Sequence, residues 1–206
     1  MLKPSELPEP GKLKKVLQAL AALDAILSPE WEYRYYSFNS RWGNGEQMGS
    51  IRNGAGDDVF FLFNGHGCFL KGFSHEYPQS QISSSDFYQS IPSSMATASK
   101  EPAFSPNSVS YCTWRSFNDY EWQSSVKENQ LNNRIYFLLD GLMGQTASYQ
   151  KFATDYYEAD VDMGVVTDIF EFKPVSKAMA KTLNSDIIFT DLCIDLEEIG
   201  FPVMIC

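Results

Sequence analysis

Two histidines, a cysteine and several carboxylates lie close together near the middle of the chain. His66 and Cys68 are two residues apart, so they share one face if the segment is a strand. With Asp57, His75 and Glu76 they offer the nitrogen, sulfur and oxygen ligands that metal ions take. Their spacing matches no known metal motif, and His66 falls in a predicted turn. We therefore predict no metal and no cofactor.

The same residues leave an enzymatic alternative open. Asp57, His75 and Glu76 fall at the predicted edge of a sheet, where a hydrolase or a metal-dependent enzyme could place a general base. A Cys–His pair is disfavoured, because Cys112 falls inside an apolar strand and is predicted to be a buried, unreactive thiol. The chain contains no G-x-S-x-G nucleophile elbow and no P-loop. The sequence thus favours a protein that is not an enzyme.

An aromatic run, EWEYRYYSF at residues 30–38, is the most distinctive local feature. Aromatic and polar residues alternate in it, which predicts a half-buried strand. One face of this strand is predicted to enter the core, as large aromatics usually do: Trp31, Tyr33 and Tyr35. The opposite face, with one residue from the next strand, is predicted to be exposed and available for binding: Arg34, Tyr36 and Arg52. An exposed segment 31–42 would alternatively form a stacking platform for a glycan or another small molecule.

Hydrophobic periodicity places a helix ahead of this run. Apolar residues recur at three- and four-residue steps over residues 13–27, and Pro29 follows as a stop signal. Short alternating segments joined by glycine-rich turns fill residues 31–73 and predict a four-stranded antiparallel meander. Residues 109–115 alternate again and predict a fifth strand. From Arg134 onward the pattern is mainly helical.

The predicted fold is α+β, because strands and helices are segregated along the chain instead of alternating. One domain is expected over residues 1–206, with an N-terminal helix, an antiparallel sheet of about five strands and a mainly helical C-terminal half. Three prolines predict an extended lead-in over residues 1–10. The serine-rich segment 80–108 is predicted to be a loop region.

The charge of the chain is distributed unevenly. The formal net charge is −10, and residues 155–206 carry 11 acidic and 3 basic side chains, which leaves −8 in the last quarter. Four acidic residues are concentrated in the last predicted helix: Asp191, Asp195, Glu197 and Glu198. The acidic balance disfavours binding to nucleic acid or to an anionic membrane, because both need basic contacts. It favours a basic protein partner, whose approach the charge would steer.

Compartment is indicated by segments that the chain lacks. No apolar run reaches the roughly 18–20 residues of a membrane-spanning helix. The N-terminal helix contains polar residues and no convincing cleavage site, so it is interpreted as a helix and not as a signal peptide. The four cysteines are far apart, which is typical of reduced thiols and predicts a cytoplasmic protein.

Four stretches of the chain carry a recognisable pattern: EWEYRYYSFNSRW, MGSIRNGAGDDVFFLF, GCFLKGFSHE and DLCIDLEEIGFP. In these stretches the chain resembles a group of uncharacterised bacterial proteins. The resemblance implies a stand-alone bacterial cytoplasmic protein, and it brings no assigned reaction and no catalytic residue. Polar residues of the pattern fall at the ends of one small sheet, which makes them candidate binding residues: Arg52, Asp57, Lys71, His75 and Glu76.

The function predicted from these features is protein binding. An acidic surface would dock a basic partner, in the manner of a bacterial immunity protein that neutralises a toxin. The alternatives are an enzyme at the edge formed by His75, Glu76 and Asp57, and a ligand-binding protein that uses the aromatic segment 31–42.

Overall fold

The computed structural model describes residues 1–77 and 81–204 and has an α+β fold. The α-helices are α1 (Pro10–Leu27), α2 (Ser84–Tyr88), α3 (Thr146–Tyr157), α4 (Met163–Phe170), α5 (Lys177–Leu183) and α6 (Phe189–Ile199). The strands are β1 (Tyr36–Gly43), β2 (Glu46–Arg52), β3 (Asp58–Asn64), β4 (Gly67–Phe73) and β5 (Tyr111–Ser116). The predicted order of a helix, a five-stranded antiparallel sheet and a helical C-terminal half is confirmed.

The sheet is a meander in which each strand pairs antiparallel with the next one in the chain. The alternating pattern predicted that the first strand begins at Trp31. In the structure it begins at Tyr36. The helix α1 ends at Leu27. After a short connection that contains Pro29, residues Trp31–Tyr33 form a turn of 3₁₀-helix. A turn has no two-residue period, so the predicted inward and outward faces of this segment do not apply.

One face of the sheet packs against α1 and the C-terminal helices. Thirteen of the 18 residues of α1 are buried, because the helix lies between the sheet and the C-terminal helices. Leu17 and Leu20 from α1 share this core with Ile51, Phe61 and Leu70 from the strands, and all five are completely shielded from solvent. Burial of this apolar area supplies most of the stabilising free energy.

The opposite face of the sheet is covered by the serine-rich segment. Within the predicted loop region, residues 81–108 contain the short helix α2 and three short 3₁₀ turns; Ser80 lies outside the described residues. Phe87, Met95 and Phe104 from this segment pack on Phe69 and Trp114 of the sheet. The segment therefore contributes a second, smaller core.

Candidate functional site

Arg34 lies at the junction of three parts of the structure and is buried, although the sequence predicted it to be exposed. Its Nε donates to the carbonyl of Ser28 at 2.8 Å, and its Nη2 donates to the carbonyl of Pro29 at 2.6 Å. The same Nη2 forms an ion pair with Asp195 Oδ2 in α6 at 2.6 Å. Arg34 therefore fixes the connection after α1 against α6 and is not a free binding residue.

The turn that Arg34 fixes displays two large aromatic side chains. Trp31 is 54% exposed and Tyr33 is 61% exposed, so the prediction that both enter the core is wrong. Tyr36, predicted to be exposed, is buried and packs against Tyr149 and Phe152. The exchange of faces follows from the 3₁₀ turn, which shifts the start of the strand to Tyr36.

Asp24 is a completely buried carboxylate that the sequence analysis did not single out. It accepts hydrogen bonds from the phenols of Tyr149 and Tyr157, each at 2.7 Å, and from the backbone N–H of Tyr36 at 2.7 Å. Burial raises the pKa of Asp24 to about 6, and these hydrogen bonds limit the increase. The available signal was an acidic residue among apolar neighbours on the buried face of α1, in LAALDAIL.

A cleft of about 520 Å³ opens beside these residues, and we call it the Arg52 cleft. Its lining consists of Glu32, Tyr33, Arg34, Arg52, Gly54, Tyr156 and Tyr157. The guanidinium of Arg52 lies 4.0 Å from the centre of the Trp31 ring, in cation–π contact. Two predicted binding residues, Arg34 and Arg52, thus line this cleft, and Arg34 is already engaged by contacts within the fold. Tyr156 and Tyr157, from the end of α3, are lining residues that the sequence did not indicate.

The acidic residues of α6 lie along the edge strand of the sheet. Asp195 pairs with Arg34, Glu197 Oε1 lies 2.9 Å from Arg41 Nη2, and Glu198 accepts a hydrogen bond from Asn39 at 3.0 Å. Two of the four predicted acidic residues, Glu197 and Glu198, therefore hold α6 on β1, and Asp195 holds it on the turn before this strand. Asp191 is exposed at the start of the helix.

One face of α6 adjoins the aromatic turn. Asp191, Asp195 and Glu198 recur at four- and three-residue steps, which aligns them along one side of the helix. Asp195 and Glu198 also line a narrow crevice together with Trp31. We call Trp31, Tyr33 and these three acidic residues together the aromatic–acidic surface.

The sequence placed Asp57 and His75 together at one edge of the sheet. In the structure they meet where β3 begins and β4 ends, at one end of these two inner strands. Asp57 Oδ1 lies 3.0 Å from His75 Nδ1 and accepts the backbone N–H of His75 at 2.9 Å, while Asn53 donates to Oδ2 at 2.7 Å. Asp57 is buried and its pKa is lowered, because these hydrogen bonds outweigh the opposing effect of its burial. Glu76 and His66 are both exposed. The imidazole of His75 is therefore oriented by Asp57, with Nε2 left for other contacts.

Lys71 is buried on the sheet face that the serine-rich segment covers. Its ammonium forms an ion pair with Asp58 Oδ1 at 2.8 Å, and only 1% of its side chain is exposed. Burial lowers the pKa of Lys71, and Asp58 opposes the decrease. Lys71 therefore neutralises a neighbouring strand residue and does not present its charge to a partner.

Three further features of the described residues concern the cysteine thiols, possible metal ligands and membrane-spanning helices. Burial raises the pKa of the Cys68 and Cys112 thiols well above their usual range, so neither is an activated nucleophile. Within residues 1–77 and 81–204, no three or more His, Cys, Asp and Glu side chains are grouped so that they could hold a metal ion. No helix in the same residues is long and apolar enough to cross a membrane.

A larger cavity lies elsewhere, along α5 and α6. This groove of about 1140 Å³ is mainly apolar and includes Ile188, Phe189 and Met204, with Lys177 and Lys181 among its lining residues. It contains none of the polar residues that the sequence predicted for the sheet edge.

No protein family, curated protein or solved structure matches the chain. Function is accordingly inferred from side-chain geometry alone.

Proposed function

We propose that this protein is a non-enzymatic binding module that docks a basic protein through the aromatic–acidic surface, as an immunity protein docks its toxin. The observation that carries the proposal is the exposure of Trp31 and Tyr33, together with the position of Trp31 beside Asp195 and Glu198 of α6. Exposed large aromatics on a folded protein are typical of interaction sites, and Trp and Tyr are enriched among residues that dominate binding energy.

The turn is suited to binding because it is fixed before a partner arrives. Three polar contacts of Arg34 hold its backbone against α6, and Arg52 stacks on the Trp31 ring. A preorganised aromatic anchor loses little conformational entropy when it binds, which favours affinity. Glu30 and Glu32 flank the anchor and add negative charge at its rim. Negative rim charge accelerates encounter with a basic partner.

The experiment begins with the tagged full chain in a lysate of its native host. Any captured protein is then identified, purified and titrated against the purified chain by calorimetry. We expect Trp31→Ala to weaken binding by about 30-fold and Tyr33→Ala by about tenfold, which is the range for anchor residues at an interface. Tyr120→Ala is the matched control, because Tyr120 is 96% exposed and lies outside the aromatic–acidic surface. Equal affinities for all three variants would refute the proposal.

The acidic part of the surface has a separate test. Asp191→Asn and Glu32→Gln each remove a negative charge and are expected to slow association and to flatten its dependence on salt. Glu121→Gln removes an equally exposed charge elsewhere and serves as the control. A partner of acidic isoelectric point, or an association rate that does not respond to salt, would count against a basic partner.

The Asp57–His75 pair supports a second candidate function. A histidine held by a buried carboxylate is an arrangement that hydrolases use for a general base. Among the described residues, no serine, threonine or cysteine is hydrogen-bonded to the ring, so the nucleophile would be water. Hydrolysis of p-nitrophenyl esters that is lost in His75→Gln but kept in His66→Gln would establish this function. Equal background rates in both variants would exclude it for that substrate class.

A further inference from the structure

The Arg52 cleft contains a cation that the described residues leave without a hydrogen-bond acceptor. The Nη2 atom of Arg52 is shielded from solvent and has no hydrogen-bond partner. A buried donor without a partner costs free energy, so such groups in folded proteins call for a bound water, ion or ligand.

Two carboxylates near the cleft are paired with other cations, and a third, Glu32 of the lining, interacts with the Tyr33 phenol. Asp58 attracts the guanidinium, but it forms its ion pair with Lys71 at 2.8 Å. Asp195, which pairs with the neighbouring Arg34, lies in α6 and engages that residue at 2.6 Å. Burial lowers the pKa of Arg52, as expected for a guanidinium with too little compensating charge. Among the described residues Arg52 therefore has no ion-pair partner, and an external anion would neutralise its charge.

The walls of the cleft indicate what else the ligand carries. Tyr33, Tyr156 and Tyr157 provide aromatic faces, and the Trp31 ring holds the guanidinium in place by stacking. A volume of about 520 Å³ lies within the usual range for small-molecule sites. An arginine guanidinium is a planar fork that matches two oxygens of a carboxylate or a phosphate.

We propose that the Arg52 cleft binds a small organic anion, with a carboxylate or phosphate on the Arg52 guanidinium and an aromatic group against Tyr33 and Tyr156. This site goes beyond the proposed function, because it needs no protein partner. It also explains why an arginine whose Nη2 has no hydrogen-bond acceptor among the described residues lies next to an exposed tryptophan.

The test uses defined probes in a chloride-free buffer. The full chain, labelled at its tryptophan indoles, is titrated by NMR with phenyl phosphate, 4-hydroxybenzoate, inorganic phosphate and the uncharged 4-hydroxybenzyl alcohol. We expect saturable shifts of the Trp31 indole with one or both aromatic anions, and at least tenfold weaker binding of the alcohol and of inorganic phosphate. The stronger of the two aromatic anions identifies the charged group. No saturation with either anion, or equal binding of the alcohol, would overturn the proposal.

Variants assign the site to Arg52. Arg52→Gln is expected to lose anion binding by at least tenfold, and Arg52→Lys to weaken it less, because the charge remains without the fork. Arg41→Gln removes an exposed arginine outside the cleft and is expected to bind as the wild type does. Thermal unfolding midpoints of all variants verify folding. An Arg52→Lys variant that folds and binds as tightly as wild type, or an Arg41→Gln variant that loses binding, would also overturn the proposal.

Discussion

Asp24 shows how a single residue can make the stability of the fold depend on pH. Its carboxylate lies inside the apolar contact between α1, β1 and α3, where it joins two tyrosine phenols and a backbone N–H. The hydrogen bonds organise this contact, but ionisation of a fully buried acid is unfavourable, so the pKa rises to about 6. The protonated form is therefore favoured in the folded state over a wider pH range than in the unfolded chain.

This shift predicts a loss of stability as the pH rises. In the unfolded chain Asp24 releases its proton near pH 3.8, whereas the folded protein keeps it until about pH 6. Between these values only the folded state binds the proton, so the free energy of unfolding falls with increasing pH, by about 3 kcal/mol for this group. Urea unfolding of wild type and Asp24→Asn from pH 3.5 to 7.5 should show the difference between them changing by about this amount. Parallel stability curves would show that Asp24 titrates normally.

At the scale of secondary structure, α6 contacts both the first strand and the turn that precedes it. β1 is an edge strand of the sheet, and open edges invite unwanted pairing with other chains. Contacts from Glu197 and Glu198 to Arg41 and Asn39 cover this edge with a helix. The ion pair of Asp195 with Arg34 extends the contact to the turn that carries Trp31. Part of the acidic charge that suggested a partner surface therefore forms ion pairs and hydrogen bonds within the protein.

The two arginines that contact α6 should differ in their contribution to stability. Arg34→Met is expected to lower the free energy of unfolding by about 3 kcal/mol, because it removes a buried guanidinium and leaves Asp195 and two carbonyls unpaired. Arg41→Met is the matched control, since its ion pair with Glu197 is mostly exposed and should contribute less than about 1 kcal/mol. Chemical denaturation measures both. Similar losses in the two variants would contradict the structural role assigned to Arg34.

At the scale of the whole molecule, the sheet is buried on both faces by different parts of the chain. The helices α1 and α3 to α6 cover one face, and the serine-rich segment covers the other. Phe104 stacks on Phe60 and Trp42, with ring centres 5.0 and 6.2 Å apart. The segment is therefore part of the folded structure and not a mere connection between strands.

Removal of this aromatic contact should loosen the second layer. Phe104→Ala is expected to cost about 3–4 kcal/mol of unfolding free energy, because it leaves a cavity under a fully buried ring. It should also expose the segment 81–108 to limited proteolysis. Phe117→Ala is the control, since Phe117 is 56% exposed and should change stability little. A Phe104→Ala protein as stable as this control would mean that the segment does not stabilise the sheet.

Much of the fold could be predicted because the signals are local. Apolar spacing in α1, alternation in the strands and the glycine-rich turns between them identify elements through interactions between residues close in sequence. The packing of the serine-rich segment on the sheet was not predicted, because its few apolar residues are buried by strands distant in sequence. The aromatic run was misjudged because a 3₁₀ turn has no alternating faces.

The sequence by itself determined the order of the elements, the antiparallel meander and the uneven charge, since each depends on residue types and short spacings. It also placed Asp57 and His75 at one sheet edge, where the meander topology brings their strand ends together. Only the tertiary structure decided which polar residues are free to bind. Arg34, Lys71 and Asp195 are paired within the fold, and Asp24 is buried by three separate segments. Trp31 and Tyr33 remain exposed, and Arg52 lines an open cleft. Burial and ion pairing depend on residues that are distant in the chain, so local patterns do not encode them.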